Sequence, residues 1–182
     1  MTGSMPVSAE ARPVAGPFTS RPMALTAGLL AVASVLGLVE AALPGLPVVP
    51  WLKLGLANIA VVVALVVSGG RTACVVSIGR VLIVGLAAGT LGSPAFAISA
   101  AGATVSLAVM WALSRAGRVF SPIGWSAAGS AAHVAAQFCA AAWVLGSWSI
   151  LVLAPLSVLL ALPLGALTGW LARTIVSRLR IV

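Results

Sequence analysis

Six polar side chains interrupt an otherwise apolar chain where binding chemistry could use them: Glu40, Lys53, Asn58, Arg80, His133 and Gln137. Two cations, one acid, one imidazole and two carboxamides can offer counter-charge to an anionic group and hydrogen bonds to a neutral body. Catalysis is the weakest option for this set. The chain has no Asp, no P-loop, no metal-ligand cluster and no nucleophile–base–acid set beyond the single His133. No metal and no cofactor is expected, and any ATP-driven step would need other chains. Cys74 and Cys139 stand alone in apolar segments without metal-ligand spacing, and are expected to be small buried thiols.

Spacing sharpens the set. Ser126, Ser130, His133 and Gln137 follow one another at four, three and four residues, which places them on one helical face. Such a stripe in a membrane span must look into a bundle or a water-filled cavity rather than at lipid. Arg80 is the strongest single signal. It follows Arg71 by nine residues, roughly 14 Å along a helix, which puts it near the bilayer midplane. A cation there costs about 2.5–3.5 kcal/mol on insertion scales, so something must offset it. Glu40 is the anionic candidate at membrane depth, and a structural Glu40–Arg80 pair is one reading. That pair leaves Lys53, Asn58, His133 and Gln137 unexplained, and a ligand cavity is the other reading.

The elements that must position these groups follow from composition. Of 182 residues, 62% are hydrophobic and only 7% charged, with mean hydropathy +1.21. Soluble domains are about a quarter charged, so lipid must be the solvent for most of this surface. No Asp, Glu, Lys or Arg occurs between Arg80 and Arg115, or between Arg118 and Arg173. Each stretch is long enough for roughly two spans at about 20 residues per crossing. The fold class expected is an all-α bundle of about six transmembrane helices, residues 22–178. A flexible cytoplasmic tail precedes it over residues 1–21, and a short cytoplasmic end follows over 179–182. An N-terminal signal peptide is the lesser reading of the first apolar run, because the topology counts best with six spans.

Threaded with the N-terminus in the cytoplasm, Arg12, Arg21, Arg71, Arg115, Arg118, Arg173, Arg178 and Arg180 fall inside, and Lys53 falls outside. That bias predicts both termini inside a prokaryotic cytoplasmic membrane. The net charge of +8 is then topology and not nucleic-acid binding.

Helix 1 is expected over about Met23–Ala42, ended by LPGLPVVP; helix 2 over Trp51–Val67; helix 3 over Arg71–Ala88. Helices 4 and 5 start at Ser93-Pro94 and Ser121-Pro122, each pairing an N-cap Ser with Pro at the first helical position. Helix 6 spans about Ser149–Arg178, with Pro155 and Pro163 expected to kink it. Trp51, Trp143 and Trp148 fall near the outer boundary, Trp111 and Trp125 near the inner one. Ala24, Ala27, Ala31 and Ser34 put small residues on one face of helix 1, and Ser99, Gly102 and Ser106 do so on helix 4. Either stripe serves intramolecular packing or docks another membrane protein.

Glu40 is high on an ascending helix, Lys53 is at the rim and Asn58 lies below it. Arg80 and His133 are near the middle, and Gln137 is one turn higher. The costly groups share the outer half, which describes a polar cavity open outward and closed toward the cytoplasm by the apolar, lipid-packed half IAVVVALVV of helix 2.

KLGLANI at 53–59, GR at 79–80, SPAF and SAAGATVSLAVM within 93–110, and SPIGWSAAGSAAHVAAQ at 121–137 occur in that order. Together they resemble the Gx transporter family, also catalogued as heptaprenyl diphosphate synthase component I. The likeness covers roughly residues 25–145, with Val134 replacing the Asn that usually follows the helix-5 His. That family looks related to the substrate-capture S-components of energy-coupling-factor transporters. The resemblance implies a six-helix protein that takes a vitamin-like ligand from outside, then associates with a transmembrane coupling subunit and two ATPases. It gives the helix 1 stripe, with Ala27 and Ala31, a task as docking face for the coupling subunit. The family's other name implies an accessory part in polyprenyl diphosphate synthesis. Without Asp-rich Mg²⁺ motifs, this chain would need a partner to supply such an active site.

Overall fold

The structure, a computed structural model, describes residues 20–43, 55–116 and 120–179. Six α-helices follow one another: α1 (Ser20–Ala42), α2 (Leu56–Ser68), α3 (Gly70–Ala87), α4 (Pro94–Arg115), α5 (Pro122–Leu145) and α6 (Ala154–Leu179). A 3-10 turn, Trp148–Leu153, precedes α6. No strand occurs among the described residues. Five of the helical segments are long and apolar enough to cross a membrane. The chain is a multi-pass membrane protein.

Helix starts follow local chemistry. Ser93 and Ser121 are extended N-caps whose Oγ atoms accept the backbone N–H of Phe96 and Gly124, and each is followed by Pro at the first helical position. In each helix one otherwise unpaired N–H donor is satisfied, and Pro removes a second where no bond was due. Pro155 falls in the first turn of α6, where the missing N–H interrupts nothing. The expected kink site there is instead part of a helix start, and Pro163 is the proline inside the helix.

The glycine contacts give the packing register. Gly37 on α1 meets Val84 and Ala57, and Gly79 on α3 meets Leu30, so α1 runs parallel to α3 and antiparallel to α2. Gly70 at the start of α3 lies against Trp111 near the end of α4. Gly129 on α5 lies against Ser106 and Met110 on α4, while Gly165 and Gly169 on α6 meet Ser130, Ser126 and Ile123. Successive helices therefore alternate in direction. Arg71, Arg115, Arg173 and Arg178 gather at one end of the bundle, and Glu40, Gly55, Pro94 and Leu145 at the other.

α2 is the centre. It packs against α1, α3, α5 and α6, and Ala57, Asn58 and Ala60–Leu65 are all buried. Most of the apolar run is therefore enclosed by protein and not lipid-packed as its composition suggests, with Val66 the exposed exception. Thirteen residues make roughly 20 Å of helix, short for a crossing. A helix apolar on all sides is stable when its neighbours cover it.

The core is built from small side chains. Ala33, Ala57, Ala60, Ala64, Ala73, Ala161 and Ala172 are buried, with Val61, Val62 and Val76, and Met110 is the largest fully buried residue. In lipid no hydrophobic drive separates one apolar surface from another, so close backbone approach and dense van der Waals contact must hold the helices together. Two residues of the Ser99–Gly102–Ser106 stripe of α4 are spent within the chain. Gly102 and Ser106 are buried against α5, whereas Ser99 is exposed and lines the cavity.

The outer surface is apolar: Val32, Val35, Leu82, Leu86, Leu159 and Trp170 are exposed. Trp143 and Trp148 are exposed near one end, and Trp111 near the other, stacked under the Arg115 guanidinium at 4.3 Å. Trp125 departs from the expected belt: it packs on the central core with its indole N–H buried. Cys74 is half-buried and Cys139 exposed, so the second thiol faces outward on α5 instead of lying in the core.

Candidate ligand site

A cavity of about 470 Å³ opens at the end of the bundle remote from the arginines. That is within the usual range of small-molecule sites, about 300–1,000 Å³. All six helices and the 3-10 turn contribute to its wall.

Five of the six sequence-predicted residues line it: Glu40 from α1, Asn58 from α2, Arg80 from α3, and His133 with Gln137 from α5. Lys53 lies outside the described residues. Asn58 is buried in the first turn of α2, nearer the helix start than expected, because α2 begins at Leu56 behind Gly55. Gly55 has φ +71, a left-handed conformation that glycine adopts without steric cost. Its N–H donates to Glu40 Oε1, so the α1 carboxylate fixes the entry of α2. Among the described residues the Asn58 amide finds a weak acceptor, Met110 Sδ at 3.9 Å on α4.

Arg80 is the distinctive group. Its Nε is buried and has no hydrogen-bond partner among the described residues. Glu40 is near enough for its charge to act on Arg80. Its carboxylate is engaged by the Gly55 N–H instead, and no direct salt bridge joins the two among the described residues. The contact ion pair weighed from sequence does not form here. A half-buried cation remains at the cavity, without a contact acid among the described residues.

His133 and Gln137 are held from behind by α4. A Cβ built on Gly102 would lie 2.7 Å from Gln137 Cγ and 2.9 Å from His133 Nε2, so a hydrogen at that position lets α4 approach both side chains. The lower half of the polar stripe has two fates. Ser130 lines the cavity beside Gly165 of α6. Ser126 is fully buried, and its hydroxyl pairs with Thr168 at 2.9 Å across the α5–α6 contact. Ser126 thus belongs to helix packing.

Sequence reasoning missed the apolar wall. Val81, Val84, Ile98, Val134, Phe138, Ile150, Leu153 and Leu164 complete the cavity. Phe138 and Val134 flank the predicted His133 and Gln137, so their proximity was the available signal. Nothing in the composition of α6 distinguishes a cavity-facing Leu from a lipid-facing one.

The helix 1 stripe divides. Ala24, Ala27 and Ala31 are exposed. Ser34 is buried, its hydroxyl donating to Leu30 O at 2.8 Å, and sits on the packed side of α1.

Residues 29–175 match the family described as heptaprenyl diphosphate synthase component I. The chain belongs to that family. The match runs from α1 into the last turns of α6, so it includes every described cavity residue. No curated protein and no solved structure matches the chain. The family description names a synthase component, and the cavity of this family member carries no acid besides Glu40.

Proposed function

We propose that this family member is the substrate-capture subunit of an ATP-driven importer in a prokaryotic cytoplasmic membrane. It takes a small vitamin-like or anionic ligand into the cavity from outside. The observation that carries this reading is Arg80: its side chain lines a cavity of small-molecule size, its Nε is buried, and it has no hydrogen-bond or ion-pair partner among the described residues. A structural cation in lipid would be expected to have a contact acid. A cation reserved for a ligand would not. Asn58, His133 and Gln137 supply orienting hydrogen bonds, and Lys53 is proposed at the rim.

The end bearing Arg71, Arg115, Arg173 and Arg178 faces the cytoplasm by the positive-inside rule, which opens the cavity outward. The exposed Ala24, Ala27 and Ala31 face of α1 is the proposed seat of a transmembrane coupling subunit, with two ATPases bound to that subunit. Non-catalytic support of polyprenyl diphosphate synthesis is the second reading, favoured by the family description.

Thermal shift of the purified protein against vitamins, nucleobases and isoprenoid phosphates tests the proposal. A captured compound at about 100 times its Kd stabilises by about 2.7 kcal/mol. Arg80→Ala and Asn58→Ala should lose that shift. No shift for any compound, with a prenyl synthase recovered from pull-down in place of ATPases, would favour the accessory reading.

A further inference from the structure

The cavity holds two opposite charges that do not touch. Glu40 stands near the end of α1, tied to the Gly55 N–H at the head of α2, and Arg80 stands on α3 with its Nε unpartnered among the described residues. Both line the cavity. In a surrounding of low polarity the two would gain most by direct contact, but the Gly55 tie holds the acid at the helix junction.

This spacing discriminates among ligands by charge. A simple anion on Arg80 would meet the field of Glu40, and a simple cation on Glu40 would meet that of Arg80. Each would leave one charge desolvated and uncompensated, which is the costly arrangement. A molecule with separated charges satisfies both. The rest of the wall sets the body of that molecule: Val134, Phe138, Ile150, Leu153 and Leu164 form an apolar face from α5, the 3-10 turn and α6. Asn58 and Gln137 lie among the charged groups and can orient a polar edge.

We infer that the cavity selects a zwitterionic amphiphile: an anionic group on Arg80, a protonated amine or similar cation on Glu40, and an apolar or aromatic body against α5 and α6. The inference rests on the capture reading above and names its substrate class.

The test uses the full-length protein in detergent, incubated with a deproteinised small-molecule extract of the cells in which the chain is native. Bound compounds are released by denaturation and identified by mass spectrometry, for wild type, Glu40→Gln, Arg80→Gln and Arg80→Lys. Glu40→Gln keeps an oxygen for the Gly55 N–H, so the α1–α2 junction survives while the charge goes. The expected result is enrichment of a compound bearing both charges and an apolar portion. Its recovery should fall at least about tenfold in Glu40→Gln and in Arg80→Gln, with partial retention in Arg80→Lys. Enrichment of a compound with a single charged group, unchanged in Glu40→Gln, would overturn the zwitterion while leaving capture standing. No compound enriched in wild type would overturn capture and this inference together.

Discussion

Arg80 separates stability from function at the scale of one residue. Burying a guanidinium nitrogen without a partner is a cost to the empty protein. Arg80→Gln removes that cost, so the ligand-free variant should be at least as stable as wild type, by up to about 2 kcal/mol. Thermal denaturation in one detergent would read this; a large loss of stability would mean that Arg80 holds the fold. Gly102 makes the opposite case. A Cβ there has no room beside His133 and Gln137, so Gly102→Ala should destabilise by about 1–3 kcal/mol and push both side chains into the cavity. Gly28, with nothing within 4 Å of its built Cβ, is the control. Gly28→Ala should stabilise by up to about 1 kcal/mol through helix propensity.

At the scale of elements, the helix starts are testable one cap at a time. Ser121→Ala should cost about 1 kcal/mol, because the Gly124 N–H loses its acceptor at the head of α5. Gly55→Ala should cost about 1–2 kcal/mol, because an L-residue resists the left-handed backbone that turns the chain into α2. Ser93-Pro94 and Ser121-Pro122 were legible in the sequence because N-cap chemistry is local and directional. The start of α2 was not. Gly55 lies inside KLGLANI, where no Ser or Thr cap and no Pro marks a helix start, and its break depends on a carboxylate from α1. The polar stripe of α5 was legible as a face, but its division between cavity and packing was not. Ser126 looks like Ser130 in one dimension, and only Thr168, 42 positions away, tells them apart. For the same reason the burial of α2 escaped detection, since an apolar helix reads alike whether lipid or protein surrounds it.

At the scale of the whole molecule, alternating helices put Arg71, Arg115, Arg173 and Arg178 at one end and the cavity, with Arg80, at the other. The number of helices and the shared depth of Glu40, Asn58, Arg80, His133 and Gln137 followed from charge-free lengths and 1.5 Å per residue. The apolar half of the cavity did not, because it is made by side chains from different helices whose rotation about their axes is set by packing. Orientation in the membrane is open to direct measurement. In intact cells, with Cys74 and Cys139 replaced by Ala, an impermeant thiol reagent should label Ser147→Cys, at the cavity end of the bundle, and should reach Ser177→Cys only after permeabilisation. The reverse pattern would place the cavity on the cytoplasmic side and remove the import reading. The most direct test of the central claim is native mass spectrometry of the protein extracted from its own membrane, wild type beside Arg80→Gln. Capture predicts a small-molecule adduct on the wild type that is absent from the variant. A protein that is bare, or that carries the same species in both forms, would contradict it.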